Sequence, residues 1–247
     1  MKTDSTATAR RFARHFATYP DEAVVQRHTA EALVESLRAE ASGPCFPHVV
    51  ELGCGTGLLT RAFLRAFKCE ALLLLDIVET CAEFFADLPQ TMFRCADLDA
   101  LEALPPTDLV LSASCLQWLR DPERLFRVVA ASLPKCGLFA AATFSAGNLS
   151  ELEQCGGQPL TCPAAGRWRE MLEASGFEIR RFEARTVRLS FQSALEALRH
   201  LKRTGVLTPA LGGYRDARRF LARYETLRDS HGVPLTYTPV FWVAAKA

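Results

Sequence analysis

The sequence HVVELGCGTG, residues 48–57, decides the fold of this 247-residue chain. It is an apolar run that leads into three alternate glycines, a pattern typical of a strand that turns tightly into a helix. Because glycine lacks a Cβ, the backbone of such a turn can adopt positive φ and approach a ligand closely. A dinucleotide site is disfavoured because Leu58 stands where Gly-x-Gly-x-x-Gly requires its third glycine, and Leu58-Leu59 likewise replace the Lys and Ser or Thr of a P-loop. The segment therefore predicts a nucleoside-binding turn of another kind.

Two further acidic residues lie at or just after the ends of the next two predicted strands. Residues 71–76 form a buried apolar run that ends at Asp76, where a carboxylate can bind the two hydroxyls of a ribose. The next apolar run precedes Asp97 and Leu98, where an acid can accept a hydrogen bond from an adenine amino group. Because the carboxyl ends of parallel strands meet at one edge of a sheet, we expect these acids to lie close to Glu51.

The composition is that of an ordinary globular protein, with 49% hydrophobic residues, 23% charged residues and a net charge of +1. These values exclude broad disorder and a uniformly basic nucleic-acid binder. No apolar run approaches the roughly 20 residues that span a bilayer, and the N-terminus lacks the apolar core of a secretory signal, so a cytoplasmic protein is expected. The nine cysteines are scattered without a Cys-x-x-Cys pair, so no metal site is expected.

Apolar strands alternate with helical stretches through the middle of the chain, which predicts an α/β fold with a doubly wound, largely parallel sheet. We expect one domain over residues 1–247, with a helical N-terminal segment at 1–42 and a cofactor-binding core at 46–192. A helical lid is predicted at 193–233, inserted before a last strand at 234–246.

The glycine turn and the acids at positions 51, 76 and 97 together resemble the motifs of the class I S-adenosylmethionine-dependent methyltransferases. The resemblance implies a Rossmann-like, seven-stranded, mostly parallel sheet whose last strand is antiparallel. It also implies that S-adenosylmethionine is the cofactor and S-adenosylhomocysteine its product. The implied cofactor-binding residues are Glu51, Gly53, Cys54, Gly55, Gly57, Asp76, Ile77, Asp97 and Leu98.

Four further stretches resemble the malonyl-acyl-carrier-protein O-methyltransferases of biotin synthesis, a family within that class. They are residues 12–19, residues 108–119 with Leu-Gln-Trp near their end, residues 198–205 with Leu-Lys-Arg-Thr-Gly, and residues 234–241, which begin Pro-Leu-Thr-Tyr. Together with the cofactor motifs, these stretches span nearly the whole chain in the family's order.

This second resemblance implies esterification of the free carboxylate of a malonyl thioester, carried by acyl carrier protein or by coenzyme A. Tyr19 would close over the cofactor, and Ser112 would lie between cofactor and acceptor together with Gln117 and Trp118. The substrate would be bound by Tyr237 and by a cation that holds its carboxylate, for which the candidates are Arg199, Lys202 and Arg203.

No catalytic base is assigned from the sequence, because a carboxylate is already ionised at neutral pH and needs none. His15, near Tyr19, is the first histidine to test if the acceptor requires a base. Two other interpretations stay open: a class I methyltransferase acting on an aconitate-like acid or a quinone precursor, and a cofactor-binding module without catalysis. The lid turn Val206-Leu207-Thr208-Pro209 departs from the family pattern, which leaves the acceptor geometry open.

The predicted lid is basic. Residues 199–228 contain eight basic and two acidic residues, whereas the rest of the chain contains 21 basic and 26 acidic residues. Such a surface fits an acidic carrier protein as its partner. The solvent-exposed face of an ordinary amphipathic helix has the same pattern. Nucleic acid is not expected, because the few aromatic residues there form no stacking platform, and no membrane partner is expected.

Overall fold

The computed structural model describes residues 13, 16, 22–206 and 214–247. His15 and Tyr19, which the sequence singles out, lie outside the described residues. The α-helices are α1 (Val24–Glu40), α2 (Leu58–Ala66), α3 (Pro122–Ser132), α4 (Ser150–Gln154), α5 (Ala165–Ala174), α6 (Ala194–Arg203) and α7 (Tyr214–Glu225). The strands are β1 (His48–Leu52), β2 (Ala71–Asp76), β3 (Thr91–Cys95), β4 (Leu109–Ala113), β5 (Leu138–Phe144), β6 (Phe177–Ala184), β7 (Val187–Phe191), β8 (Val233–Tyr237) and β9 (Pro239–Lys246).

Seven of these strands form one sheet in the order β3-β2-β1-β4-β5-β9-β6. Strands β1 to β5 run parallel, and β9 is antiparallel to both β5 and β6. The predicted doubly wound, mostly parallel sheet with an antiparallel last strand is therefore confirmed. The strand order reverses between β1 and β4, so their carboxyl ends form the switch point at which open α/β sheets bind ligands.

Both faces of this sheet are covered, which explains why its strands are nearly continuous apolar runs. Neighbouring residues point to opposite faces, so Val49 packs in one core and Val50 in the other. The first core is closed by α1 and α2 around Phe63, and the second by α3 and α5 around Trp168 and Trp242. Full burial of a side chain such as Phe63 stabilises the fold by roughly 1.5–3 kcal/mol. The packed sheet therefore provides a rigid frame for the loops at its carboxyl edge.

The last part of the chain differs from the prediction of one strand at 234–246. The structure ends β8 at Tyr237 and begins β9 at Pro239, and β8 pairs with β7 in a separate two-stranded sheet. Thr238 lies between the two strands and is bound by residues of the loop after β5. Its hydroxyl donates to the carbonyl of Ser145 at 2.7 Å, and its N–H donates to Asn148 Oδ1 at 3.2 Å. These contacts turn the chain from one sheet into the other.

The small sheet belongs to a third hydrophobic cluster, which we call the β7–β8 layer and define as β7, β8, α6 and α7. Leu201 of α6, Phe220 and Tyr224 of α7 and Leu235 of β8 are buried together there. The Tyr224 hydroxyl donates to the backbone carbonyl of Pro234 at 2.8 Å, which ties α7 to β8. Among the described residues, no helix is long and apolar enough to cross a membrane.

Candidate active site

A crevice of about 1040 Å³, open to solvent, lies at the carboxyl ends of β1, β2 and β4. It is lined by the glycine turn, by the loops that follow β2, β3 and β4, and by α1. The structure brings together on its walls nine residues that the sequence predicts: Glu51, Gly53, Cys54, Gly55, Asp76, Ile77, Asp97, Leu98 and Trp118. The acids expected at the ends of three successive strands, Glu51, Asp76 and Asp97, therefore line the same crevice.

The glycine turn is shaped by close packing at two positions and by open space at a third. Gly53 and Gly57 have φ of 74° and 84°. A Cβ at Gly53 would lie 2.3 Å from Cys115 Sγ, and one at Gly57 would lie 2.7 Å from the ring of Phe85. Gly55, with φ of 52°, has no atom within 4 Å of such a Cβ. The turn is therefore packed closely against Cys115 and Phe85, whereas Gly55 faces the crevice. Gly57, which the sequence also predicts as a binding residue, does not line the crevice.

Asp76 is held in place by the turn beside it. Its Oδ2 accepts the Gly55 N–H at 2.9 Å, and its Oδ1 accepts the Val78 N–H at 2.9 Å. Burial raises the pKa of this carboxyl, while the backbone hydrogen bonds oppose that rise. Asp76 also lines the crevice, and carboxylate oxygens only accept hydrogen bonds, so a ligand there can bind it through hydroxyl donors. That geometry suits a vicinal diol.

Glu51 is the most deeply buried acid of the crevice, with 1% of its surface exposed. The hydroxyl of Thr60 donates to its Oε2 at 2.7 Å. Burial raises the pKa of Glu51 to about 8, and the charge of Asp76 adds to the effect. At neutral pH, Glu51 is therefore mostly protonated and uncharged.

Glu51→Gln is expected to stabilise the fold increasingly as pH rises from about 4.5 to about 8. The pKa of Glu51 is higher in the fold than in the unfolded chain, so the unfolded chain ionises first and the wild type loses stability over this interval. The amide oxygen of glutamine can still accept from Thr60. The gain should reach a few kcal/mol, since one pKa unit corresponds to about 1.4 kcal/mol.

Urea unfolding at about pH 6 and about pH 9 measures this difference. Glu31→Gln, at an exposed position of α1, is the matched control and should follow the wild type. An equal free energy of unfolding for Glu51→Gln and wild type at both pH values would contradict the buried, protonated carboxyl.

The loop after β3 is held by three residues that the sequence motifs do not single out, Asp99, Arg120 and Arg124. Asp97 Oδ1 accepts the N–H of Asp99 at 2.9 Å, and Asp99, also on the crevice wall, accepts the backbone N–H and side chain of Arg120 at 2.9 and 3.1 Å. Arg124 donates to three backbone carbonyls of this loop, those of Leu98, Asp99 and Leu101, at 3.1, 2.7 and 2.8 Å. The loop after β3 is thus held by a guanidinium from α3.

Ser112 does not line the crevice, contrary to the prediction. It is fully buried within the sheet, where its hydroxyl donates to the carbonyl of Leu52 on the neighbouring strand at 2.9 Å. Strand β4 continues one residue further, so the residues that reach the crevice are Ala113, Ser114 and Cys115. Ser114 has φ of 56°, which is unusual for a residue other than glycine.

A second cavity of about 390 Å³, a volume that includes its opening to solvent, adjoins the crevice, and we call it the side cavity. Both share Gln26, Ser114 and Trp118 as lining residues. The other residues that line the side cavity are Gln117, Phe144, Asn148, Leu160, Val206 and Tyr237. Two predicted site residues, Gln117 and Tyr237, are therefore placed in this cavity and Trp118 at its junction with the crevice.

Gln117 and Tyr237 are fixed by further polar contacts. The Gln117 amide donates to the carbonyl of Ser114 at 2.7 Å and accepts the hydroxyl of Thr143 at 2.8 Å. The Tyr237 hydroxyl lies 3.1 Å from Nε2 of His200, whose Nδ1 lies 3.7 Å from Glu22. Burial lowers the pKa of His200, so its imidazole is neutral at pH 7.

The three cations predicted to hold the substrate carboxylate are not brought to either cavity. Arg199, Lys202 and Arg203 are exposed on α6, because the helix turns its apolar residues Leu198 and Leu201 into the third cluster. Arg203 also donates to Glu22 at 2.6 Å. Among the described residues, no lysine or arginine lines the crevice or the side cavity.

The cysteines on the crevice wall carry neutral thiols. Hydrogen bonding to Cys81, together with burial, raises the pKa of Cys54, and burial raises the pKa of Cys115. A protonated thiol is a poor nucleophile and a poor metal ligand. Within the described ranges, no group of three or more His, Cys, Asp and Glu side chains could hold a metal ion.

Comparison with known proteins supports this interpretation of the fold. Residues 50–139 match the family model described as a methyltransferase domain. An N-methyltransferase from Bradyrhizobium japonicum, solved with S-adenosylhomocysteine, is similar in structure with a TM-score of 0.58 and 13% sequence identity, over 98% of this chain and 99% of that one. At that identity the likeness concerns the fold alone.

Sequence relatives are more specific. A malonyl-[acyl-carrier protein] O-methyltransferase from Bacteroides thetaiotaomicron is 34% identical over 98% of this chain and 98% of its own length. A protein of the same name from Chlorobium phaeovibrioides is 35% identical over 98% of this chain and 97% of its own length. With matches of this identity over essentially full length, the chain belongs to the malonyl-[acyl-carrier protein] O-methyltransferase family.

Proposed function

We propose that this chain transfers a methyl group from S-adenosylmethionine to the free carboxylate of a malonyl thioester, an early step of biotin synthesis. The observation that carries the proposal is the juxtaposition of an acid-lined crevice with a side cavity that shares part of its wall. Donor and acceptor need such neighbouring sites, because catalysis depends on holding the two reacting atoms close and in line. The name of the relatives supports malonyl carrier protein as the acceptor.

The crevice fits the donor. Asp76 would accept hydrogen bonds from the ribose hydroxyls and Asp97 one from the adenine amino group, with Ile77 and Leu98 as apolar walls for the ring. Independent support for a ligand site is that the Thr56 hydroxyl, which also lines the crevice, is buried with no hydrogen-bond partner among the described residues. Leaving such a group unpaired costs about 1–3 kcal/mol, which a bound ligand could offset.

The chemistry asks little of the protein beyond positioning. When bound, S-adenosylmethionine supplies an electrophilic methyl carbon, to which a carboxylate oxygen bonds as the carbon–sulfur bond breaks. No proton has to move, since the carboxylate is ionised at neutral pH. The described residues on the walls therefore serve to align the acceptor and to exclude water. We keep Tyr19, outside those residues, as the proposed cover over the cofactor.

The side cavity suits the acceptor because its described walls combine uncharged polar groups with apolar side chains. Trp118, Phe144, Leu160 and Val206 line it. In the reaction, a negative carboxylate and a positive sulfonium become two neutral groups. A water-poor site stabilises charge less well than water does. Because the reactants carry more charge than the transition state, their free energy rises more, and the barrier between them falls.

We propose that the β7–β8 layer is the lid of a single-domain enzyme and the docking site of the substrate carrier. Its helices expose Arg199 and Lys202 on α6 and Arg218, Arg219 and Arg223 on α7. Tyr237, the last residue of β8, and Val206, in the segment after α6, line the side cavity. A carrier docked on these cations could pass a pantetheine arm inwards, and an acidic carrier protein fits them in charge. A cytoplasmic location is part of this proposal.

Reversing the charge of the lid with Arg218→Glu/Arg219→Glu is expected to raise KM for malonyl carrier protein by about tenfold or more, because exposed charges steer association. KM for malonyl-pantetheine, which lacks the carrier, and the affinity for S-adenosylmethionine should stay the same. Arg65→Glu, exposed at the end of α2, is the control. Equal KM values for the carrier substrate in variant and wild type would refute docking at α7.

The function is tested with methyl-labelled S-adenosylmethionine and purified protein. Malonyl carrier protein, malonyl-CoA, trans-aconitate and a quinone precursor serve as alternative acceptors. The proposal predicts base-labile, volatile label on a malonyl thioester. Transfer to aconitate or to the quinone precursor instead would overturn the malonyl acceptor, and cofactor binding without transfer to any of the four would indicate a non-catalytic module.

A further inference from the structure

Two polar side chains at the junction of the crevice and the side cavity are buried without partners. Gln26 Oε1 and Ser114 Oγ have no hydrogen-bond partner within the described part of the chain. Gln26 is only 4% exposed. Both residues line both cavities, so the unpaired atoms lie where donor and acceptor would meet.

Leaving these atoms unpaired is costly. Each buried polar group without a partner costs about 1–3 kcal/mol, and the left-handed backbone of Ser114 costs about another 1–2 kcal/mol. That backbone is pinned on both sides, since its N–H donates to the carbonyl of Ala142 at 2.9 Å and its carbonyl accepts the Gln117 amide at 2.7 Å. The fold thus fixes the backbone of Ser114, while its hydroxyl has no partner among the described residues.

Most polar atoms of the neighbouring side chains are already engaged. Both ends of the Gln117 amide are used by Ser114 and Thr143. The oxygen of Asn148 accepts the N–H of Thr238 at 3.2 Å. Gln26 and Ser114 are therefore the groups at the junction best able to bind a ligand.

We propose that Gln26 and Ser114 bind the carboxylate of the acceptor through uncharged hydrogen bonds, in place of a cation. Turning the Gln26 amide about its last bond presents its NH₂ group, and the Ser114 hydroxyl can rotate to donate. This assignment rests on the proposed carboxyl methylation and deepens it by naming what holds the reacting group.

Uncharged donors suit this reaction better than a cation. The carboxylate loses its charge as it is methylated, so a lysine or arginine would bind the ground state more strongly than the transition state and would raise the barrier. The hydrogen bonds from a neutral amide and hydroxyl to the carboxylate weaken less than those from a cation as the methyl group is transferred. The absence of lysine and arginine from both cavity walls, as far as the described residues go, agrees with this arrangement.

Gln26→Met and Ser114→Ala test the inference. Each variant should lower kcat/KM for a malonyl thioester by about tenfold or more, the effect of losing a hydrogen bond to a charged group. The Kd for S-adenosylhomocysteine should change by less than about twofold, and Tm should stay equal or rise, because a buried unpaired group is removed. Gln90→Met, on the loop before β3 and away from both cavities, is the matched control and should behave as wild type.

The outcomes separate this inference from the proposed function. A wild type that transfers no methyl group to any malonyl thioester overturns both. An active wild type whose two variants keep kcat/KM within about twofold overturns only the roles of Gln26 and Ser114. Variants that lose affinity for S-adenosylhomocysteine and keep KM for the malonyl thioester would place the two groups in the donor site and overturn the inference.

Discussion

Replacing Asp76 with alanine is expected to weaken binding of S-adenosylmethionine by about 100-fold or more. In the proposed complex its carboxylate accepts both ribose hydroxyls, and hydrogen bonds to a charged group are worth roughly 1.5–3 kcal/mol each, with about 1.4 kcal/mol per tenfold in affinity. The variant also leaves the N–H groups of Gly55 and Val78 without their acceptor. Isothermal titration with S-adenosylmethionine and S-adenosylhomocysteine measures the effect on both ligands.

Two further variants control this experiment. Asp87→Ala removes an exposed acid that pairs with Arg61 at 2.9 Å and should leave cofactor affinity unchanged. Asp76→Asn keeps the shape and one acceptor oxygen, so its loss of affinity should be intermediate. If Asp76→Ala folds as wild type does and binds the cofactor equally well, the assignment of the ribose acid is wrong.

Gly53→Ala is expected to lower the free energy of unfolding by about 2–5 kcal/mol, a fall in Tm of roughly 5–15 °C for a chain of this size. The added Cβ would lie 2.3 Å from Cys115 Sγ and 2.5 Å from Cys115 Cβ, so one side of the crevice would have to move. The φ of 74° adds the steric cost of a left-handed alanine. Thermal unfolding followed by circular dichroism measures the change.

A double-mutant cycle with Cys115→Gly isolates the overlap. Removing the Cys115 side chain should recover part of the loss, with a coupling energy of about 1 kcal/mol or more, while the cost of the backbone conformation remains. Gly43→Ala is the control, since a Cβ there meets no atom within 4 Å. Strict additivity of Gly53→Ala and Cys115→Gly would show that the two residues do not pack as described.

The sheet and its acidic edge are predictable from sequence because both depend on local patterns. The apolar run of β1 and the glycines after it specify a strand and a turn within ten residues. The split between β8 and β9 depends instead on Thr238, which bonds to Ser145 and Asn148 some 90 residues earlier in the chain. A pairing across that distance leaves no periodic signal, so residues 234–246 look like one strand.

The site shows the same contrast. The sequence places serines at 112 and 114, but β4 ends at Ala113, so Ser112 is buried within the sheet while Ser114, in the turn that follows, reaches the crevice. The cations of α6 are conspicuous in the sequence, yet the apolar face of that helix turns them outwards. One sequence signal does point to Gln26: it lies four residues before Ala30 of α1, on a helix face whose buried residues are mostly apolar.

The most direct test of the account is a crystal structure of the protein with S-adenosylhomocysteine and malonyl-pantetheine. We predict the ribose of S-adenosylhomocysteine on Asp76 and the malonyl carboxylate in the side cavity, within hydrogen-bond distance of Gln26 and Ser114 and facing the sulfur. A nucleoside bound elsewhere, or a malonyl group held by Arg199, Lys202 or Arg203 on the outer face of α6, would contradict it.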